Sequence, residues 1–207
     1  MLADLTIKEF LKQTGSGSPV PGGGSVAALS AALAASLIEM VANLTIGRKG
    51  YEVVEEDMQV LAQETVRLRE RLVSAIDNDS NAYGNVVSAM RLPKGTDEEK
   101  QQREKEIQNG LKQSAVIPMG VAEDAFRVMV LAGEVVVKGN RNTVSDGSVG
   151  VVMAKTAVLS ALYNVKINLS SIKDKIFVDN MSRAMRELEK NTLDWEKGFG
   201  ALGDFWT

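Results

Sequence analysis

The chain reads as a series of helical patterns separated by turn-rich segments. Over residues 4–14 an amphipathic pattern sets Leu5, Phe10 and Leu11 on one side. TGSGSPVPGGGS, Thr14 to Ser25, is a turn by every local rule. A run of small and apolar residues follows and predicts a buried helix over 26–46, with Ser25 as its N-cap and Gly47 and Gly50 marking its end. Met58, Leu61, Ala62, Leu68, Leu72, Ile76, Tyr83, Val87 and Met90 recur at three- and four-residue steps, which predicts one long helix over about 52–90. RLPKGT breaks it, and a charged, solvated helix comes next. Pro118 is expected to kink or end that helix. A more apolar helix over about 119–134 follows, and Val135 to Val137 could form a short strand, although no partner strand is evident. After the loop at 138–145 comes a second apolar helix, about 146–169. The last helix, about 173–197, carries Ile176, Phe177, Met181, Met185, Leu188 and Leu193 on one side.

These patterns predict an all-α fold: one helical bundle over 1–207 with two very apolar central helices. A bundle of this size rarely needs two such helices unless one also faces another subunit, so a homodimer is expected. The stretch from Ser25 to Ile46 is long enough to span a bilayer. Glu39 and Asn43 interrupt it, however, and it is rich in Ala and Ser rather than Leu and Phe. A core or interface helix is therefore expected, and no membrane association. Asp4, Lys8 and Glu9 stand where a secretion signal needs an apolar core, which predicts a cytoplasmic protein.

Composition narrows the chemistry. With 24 Lys+Arg against 27 Asp+Glu the net charge is −3, which gives no electrostatic case for nucleic acid. The chain has neither Cys nor His. That excludes a Ser-His-Asp triad, a Cys nucleophile and zinc on N/S ligands. Acid–base work falls to Asp, Glu, Lys or Tyr, and no metal site is expected. GFGALG, Gly198 to Gly203, matches a dinucleotide-binding pattern but follows a helix rather than a strand.

Four segments could carry chemistry. Gly22, Gly23, Gly24 and Ser25 precede an apolar helix, so they could present amides and a helix N-terminus to an anion or carbonyl, or form a plain capped loop. Asp79 falls within the stripe of Leu72, Ile76, Tyr83 and Met90, whereas Asp77 falls on its flank. A carboxylate among inward-facing apolar residues is either a structural Asp or a proton carrier whose pKa burial has raised. In the segment Gly139 to Gly147, Ser145 or Asp146 would cap the next helix, while Lys138, Asn140, Arg141 and Asn142 crowd the turn with donors. Arg48 and Lys49 form a basic helix end, which either favours the helix dipole or binds an anion.

Together these segments resemble one family: the cyclodeaminase domain of formiminotransferase-cyclodeaminase and its stand-alone relatives, the methenyltetrahydrofolate cyclohydrolases. The resemblance rests on PGGGS at Pro21 to Ser25 and on NLTIG at Asn43 to Gly47 with Arg48 and Lys49. It rests also on DSNAY at Asp79 to Tyr83, on GNRN at Gly139 to Asn142 with Ser145 and Asp146, and on NVKIN at Asn164 to Asn168. It implies an all-α fold, a dimer or higher oligomer, a tetrahydrofolate substrate with no covalently bound cofactor, and a site near the dimer interface. It implies Asp79 as proton donor and acceptor. The substrate-binding residues would be Gly22, Gly23, Gly24, Ser25, Arg48, Lys49, Tyr83, Asn142, Ser145 and Asp146. The bifunctional enzyme has a transferase domain that this sequence lacks, so a separate formiminotransferase partner is admitted. The expected reaction is cyclisation of 5-formiminotetrahydrofolate to 5,10-methenyltetrahydrofolate with loss of ammonia. The alternatives are the cyclohydrolase reaction and a non-catalytic folate-binding or scaffold protein.

Overall fold

The two apolar runs become neighbouring core helices, and the longer amphipathic patterns wrap them. In the computed structural model, which describes residues 1–201, the helices are α1 (Ile7–Thr14), α2 (Gly23–Asn43), α3 (Glu55–Met90), α4 (Asp97–Lys138), α5 (Val144–Leu169) and α6 (Lys175–Gly200). Short 3₁₀ turns at Leu2–Asp4, Glu52–Val54 and Arg141–Thr143 join them, and the described residues form no strand. The all-α expectation holds.

Helices α2 to α5 run up and down around one core. Cross-helix contacts fix the directions. Ser25 meets Ile76, and Glu39 meets Arg69, so α3 runs antiparallel to α2. Arg71 pairs with Asp124 and Arg127 with Glu64 across α3 and α4. Asn168 of α5 donates to the Ser114 carbonyl of α4. The α2–α5 seam is built on small residues. Ala27, Ala28, Ala31, Ala34 and Ala35 are buried on α2, and Gly150, Ala154, Ala157 and Ala161 on α5. Short side chains let the two backbones approach, and many close carbon contacts then form. Both stretches are long and apolar enough to cross a bilayer, and roughly half of each is buried within the bundle. Helix α6 lies across α4 and α5, held by Leu188, Trp195 and a Lys155–Glu196 ion pair.

Several expectations need correction. α4 is a single helix through Pro118 and on to Lys138, so neither a break at 118 nor a strand at 135–137 occurs. Proline lacks a hydrogen-bond donor and crowds the preceding turn. Here burial of Ala115, Met119, Val121 and Ala122 around it outweighs that cost. Val135 and Val136 stay helical because they pack into the core, where Val136 closes against Gly147 of α5. α2 starts at Gly23 rather than 26, its N-cap is Gly22, and Ser25 lies buried inside the first turn. α5 starts at Val144. Its N-cap is Thr143, without a side-chain bond, so neither Ser145 nor Asp146 caps it. Leu11, Ile176 and Leu193 face outward, Leu11 at 64% and Ile176 at 76% exposure, because no described residue covers those sides of α1 and α6. The glycine pattern at 198–203 lies at the end of α6 and runs partly beyond the described residues.

Candidate active site

The glycines after Pro21 form the start of α2. The first helical hydrogen bond runs from the Val26 N–H to the Gly22 carbonyl at 3.1 Å. The amides of Gly23, Gly24 and Ser25 therefore precede the helical ladder, and Gly22 has no side chain to cap them. They form the positive end of an apolar 21-residue helix.

Two side chains close on that turn from opposite sides. From α3 comes Asp79. A Cβ on Gly24 would overlap its carboxylate, so only glycine admits the acid here. From α5 comes Asn164, whose amide nitrogen would lie 3.3 Å from a Cβ on Gly23. Ser25 is fully buried beneath both glycines. Its Oγ lies 2.8 Å from the Ile76 carbonyl oxygen and 3.3 Å from Asp79 Oδ2. Burial pushes the Asp79 carboxyl above the usual aspartate range, and the Ser25 N–H, donating to the carboxylate, opposes that rise in part. The result is a half-buried carboxyl with an upward-shifted pKa at a helix N-terminus. That position suits a group that gives and takes a proton.

Tyr83 stands one turn further along α3 and is exposed, as is Met90. The expectation that both join the inward stripe is corrected: Ala82, Val86 and Ala89 are the buried residues there. α2 begins beside Asp79, so past that level no α2 residue covers the face that carries Tyr83. Tyr83 thus lies one turn from Asp79 on an exposed part of α3.

The remaining predicted residues lie elsewhere. Arg48 and Lys49 are exposed in the turn after α2, between Gly47 and Gly50, both of positive φ. Asn142 and Ser145 are exposed, and Asp146 is half-buried, in the segment that packs against that same turn. Asn140 anchors it: its N–H donates to Thr45 Oγ1 at 2.9 Å and its side chain donates to the Leu44 carbonyl at 3.1 Å. The Arg141 N–H donates to the Tyr51 hydroxyl. The sequence-predicted residues thus form two clusters at opposite ends of α2, a separation of about 30 Å at 1.5 Å per residue. Gly22, Gly23, Gly24, Ser25, Asp79 and Tyr83 are together. Arg48, Lys49, Asn142, Ser145 and Asp146 are together at the far end.

Two carboxylates that could compete with Asp79 are otherwise engaged. Asp77 accepts the Leu2 N–H at 2.6 Å and the Ala3 N–H at 3.3 Å, so it ties down the N-terminal turn. Glu39, inside the apolar run of α2, pairs with Arg69 at 2.9 Å. Among the described residues there is no cluster of acidic side chains able to hold a metal ion. Asn164 is the site residue that pattern reasoning left unassigned. Its signal was its place in the NVKIN segment at Asn164 to Asn168.

A family model described as formiminotransferase-cyclodeaminase matches residues 6–187. A methenyltetrahydrofolate cyclohydrolase of Methylorubrum extorquens is 39% identical over 189 residues, which is 91% of this chain and 89% of that protein. A formimidoyltransferase-cyclodeaminase of Rattus norvegicus is 33% identical over 187 residues, 90% of this chain but 35% of that longer protein. The crystal structure of a formiminotetrahydrofolate cyclodeaminase from Thermotoga maritima superposes with a TM-score of 0.84 at 30% identity, covering 94% of this chain and 93% of that one. On the match over residues 6–187 and these relatives, the chain belongs to the formiminotransferase-cyclodeaminase family.

Proposed function

We propose that the protein is a folate one-carbon enzyme that closes 5-formiminotetrahydrofolate to 5,10-methenyltetrahydrofolate with release of ammonia. The observation that carries this reading is the Asp79 carboxyl at the glycine-opened start of α2. The folate nitrogen at position 10 attacks the formimino carbon. Asp79 takes the proton from that nitrogen and delivers one to the departing amine, so a single carboxyl serves both transfers. This suits a chain without His. No separate cofactor enters the reaction. A separate formiminotransferase would supply the formimino group, a reading supported by the animal relatives, whose names join the two activities in one chain.

A second reading has its own support. The Methylorubrum extorquens relative, similar over nearly its whole length, is a methenyltetrahydrofolate cyclohydrolase. In that reaction the same carboxyl would activate water against the methenyl carbon. Methenyltetrahydrofolate absorbs strongly in the near ultraviolet, so one spectrophotometric assay with each folate separates the two reactions. Ring closure should raise the absorbance and hydration should lower it. No change with either folate would leave a binding protein.

The working unit we propose is a homodimer. α2 leaves Val26, Leu33, Met40 and Leu44 exposed, and the adjacent α5 leaves Val149, Val152, Tyr163 and Ile167 exposed. These stripes form one apolar face along the α2–α5 seam. A two-fold axis across it, with the helices antiparallel, would bring Arg48, Lys49, Asn142 and Asp146 of one copy toward Asp79 of the other. This arrangement accounts for a motif set divided between the two ends of one helix.

A further inference from the structure

The Ser25 hydroxyl has one proton and two acceptors within reach. The nearer is the Ile76 carbonyl oxygen at 2.8 Å, and the farther is Asp79 Oδ2 at 3.3 Å. A hydroxyl donates once and accepts through two lone pairs. With its proton directed to Ile76, Ser25 turns a lone pair toward Asp79. An ionised carboxylate would meet that lone pair unfavourably, whereas a protonated carboxyl would donate its O–H into it. We infer that Ser25 is a positioning residue that accepts a hydrogen bond from protonated Asp79 and so loads it as the acid for ring closure. The assignment of Asp79 as the proton carrier rests on the reading given above.

The surroundings leave this contact to decide the matter. α2 presents Gly24 and Ser25 to Asp79, neither charged, and α5 presents the neutral Asn164 beside Gly23. On α3 the nearby Asp77 carboxylate is held by Leu2 and Ala3, and the N-terminal amine next to it pairs with Asp4. Burial raises the carboxyl's titration, a hydrogen bond donated by the Ser25 N–H lowers it, and no charged neighbour is among the causes; the hydroxyl could add to that lowering only if its proton left Ile76. The Ser25 N–H also points to the carboxylate and would hold it once its proton has left. Ser25 is fully buried, so the inference gives it a positioning role in place of the substrate-binding one that the resemblance implies.

The proton balance gives the contact a purpose. Neutral 5-formiminotetrahydrofolate plus one proton yields the methenyl cation plus ammonia. Asp79 donates to the imino nitrogen, the nitrogen at position 10 bonds to the carbon, and its proton passes to the Asp79 carboxylate. Asp79 then delivers that proton as the carbon–amine bond breaks, and finishes ionised. Hydration of the methenyl cation to the formyl product instead releases a proton and starts from ionised Asp79. A contact that favours the neutral carboxyl therefore favours ring closure.

The test is a titration of the Asp79 carboxyl carbon by NMR in the free wild-type, Ser25→Ala and Ser25→Cys proteins. The Cys variant keeps the buried volume but is a poor acceptor. Loss of the acceptor should lower the Asp79 midpoint by about half a unit to one unit in either variant. The high-pH limb of kcat/KM for ring closure should move down by the same amount. The substrate's own titration is common to all three proteins, so only the displacement between them is read. An unmoved or raised Asp79 midpoint in whichever variant folds would overturn the inference, because Ser25 would then be a donor to the carboxylate. If neither folate is turned over, the reading of the reaction fails, while the titration still decides the role of Ser25.

Discussion

Gly24 and Asp79 occupy one space: the carboxyl of α3 lies where a side chain on the first turn of α2 would be. The acid reaches the amides of a helix N-terminus only because position 24 has no Cβ. Gly24→Ala must push Asp79 aside, and a displacement of about 1 Å in a catalytic group costs on the order of 10²-fold in rate. Gly23→Ala faces only the flexible end of Asn164 and should be much milder. Comparing kcat and the thermal midpoint of the two variants separates a lost geometry from a general loss of stability. Equal, small losses in both would mean that the glycines serve only to start the helix.

Asp79→Asn keeps the size and loses the proton. Positioned acid–base catalysis contributes about 10²–10⁴-fold, and turnover should fall by that factor with affinity for folate roughly kept. Stability should move the other way. The folded-state pKa of Asp79 is raised, chiefly by burial. The native state therefore binds the proton more tightly than the unfolded chain, and the stability this gives is lost as pH rises through the folded pKa. The Asn variant lacks that loss. Its thermal midpoint relative to wild type should climb between acid and neutral pH. A difference that stays flat with pH would mean that Asp79 is not desolvated.

Asp77→Asn cannot serve as a neutral control, because the Asp77 carboxylate holds two backbone N–H groups of the N-terminal turn. An amide oxygen replaces a charged acceptor there, and the expected cost is about 1 kcal/mol of stability with kcat within a few-fold of wild type. Thermal unfolding and hydrogen exchange at Leu2 and Ala3 would show it. A kcat loss matching that of Asp79→Asn would bring Asp77 into the chemistry.

The sequence was most readable where one residue type answered to one local rule. The three- and four-residue spacing on α3 placed Asp79 on the inward stripe, because the helical period sets which face a residue lies on. The same period misplaced Tyr83 and Met90, since burial also needs a neighbour, and α2 begins only at the level of Asp79. Ser25 looked like a cap because Ser before an apolar run usually is one. Gly22 takes that place, and the turn it opens is shaped by the approach of Asp79 and Asn164, which no local rule sees. Pro118 and Val135 followed tertiary packing over intrinsic preference. The division of the motifs between two ends of α2 is a fact of topology. Spacing along the chain cannot express it.

That division leads to a test of the shared site. If Arg48 and Lys49 of one copy complete the site around Asp79 of the other, two inactive parents should complement. One parent carries Asp79→Asn, the other carries Arg48→Ala with Lys49→Ala. Each parent homodimer has two damaged sites. A mixed dimer pairs the intact Asp79 of the second parent with the intact basic turn of the first, so one of its two sites is whole. Mixing the parents under conditions that allow subunit exchange should restore ring closure that neither shows alone. Exposed surface charges of this kind act mainly on binding, so the assay is run at folate well below the KM of the basic variant, where that parent turns over too little to register. The apolar face supplies the control. Leu33→Glu on α2 puts a charge on the exposed stripe, and should shift the mass in dilute solution to that of a monomer and abolish complementation. Recovery of activity in the mixture, lost again when both parents carry Leu33→Glu, would tie the two ends of α2 into one site. Parents that stay inactive after verified exchange would confine the chemistry to the Asp79 end of each chain.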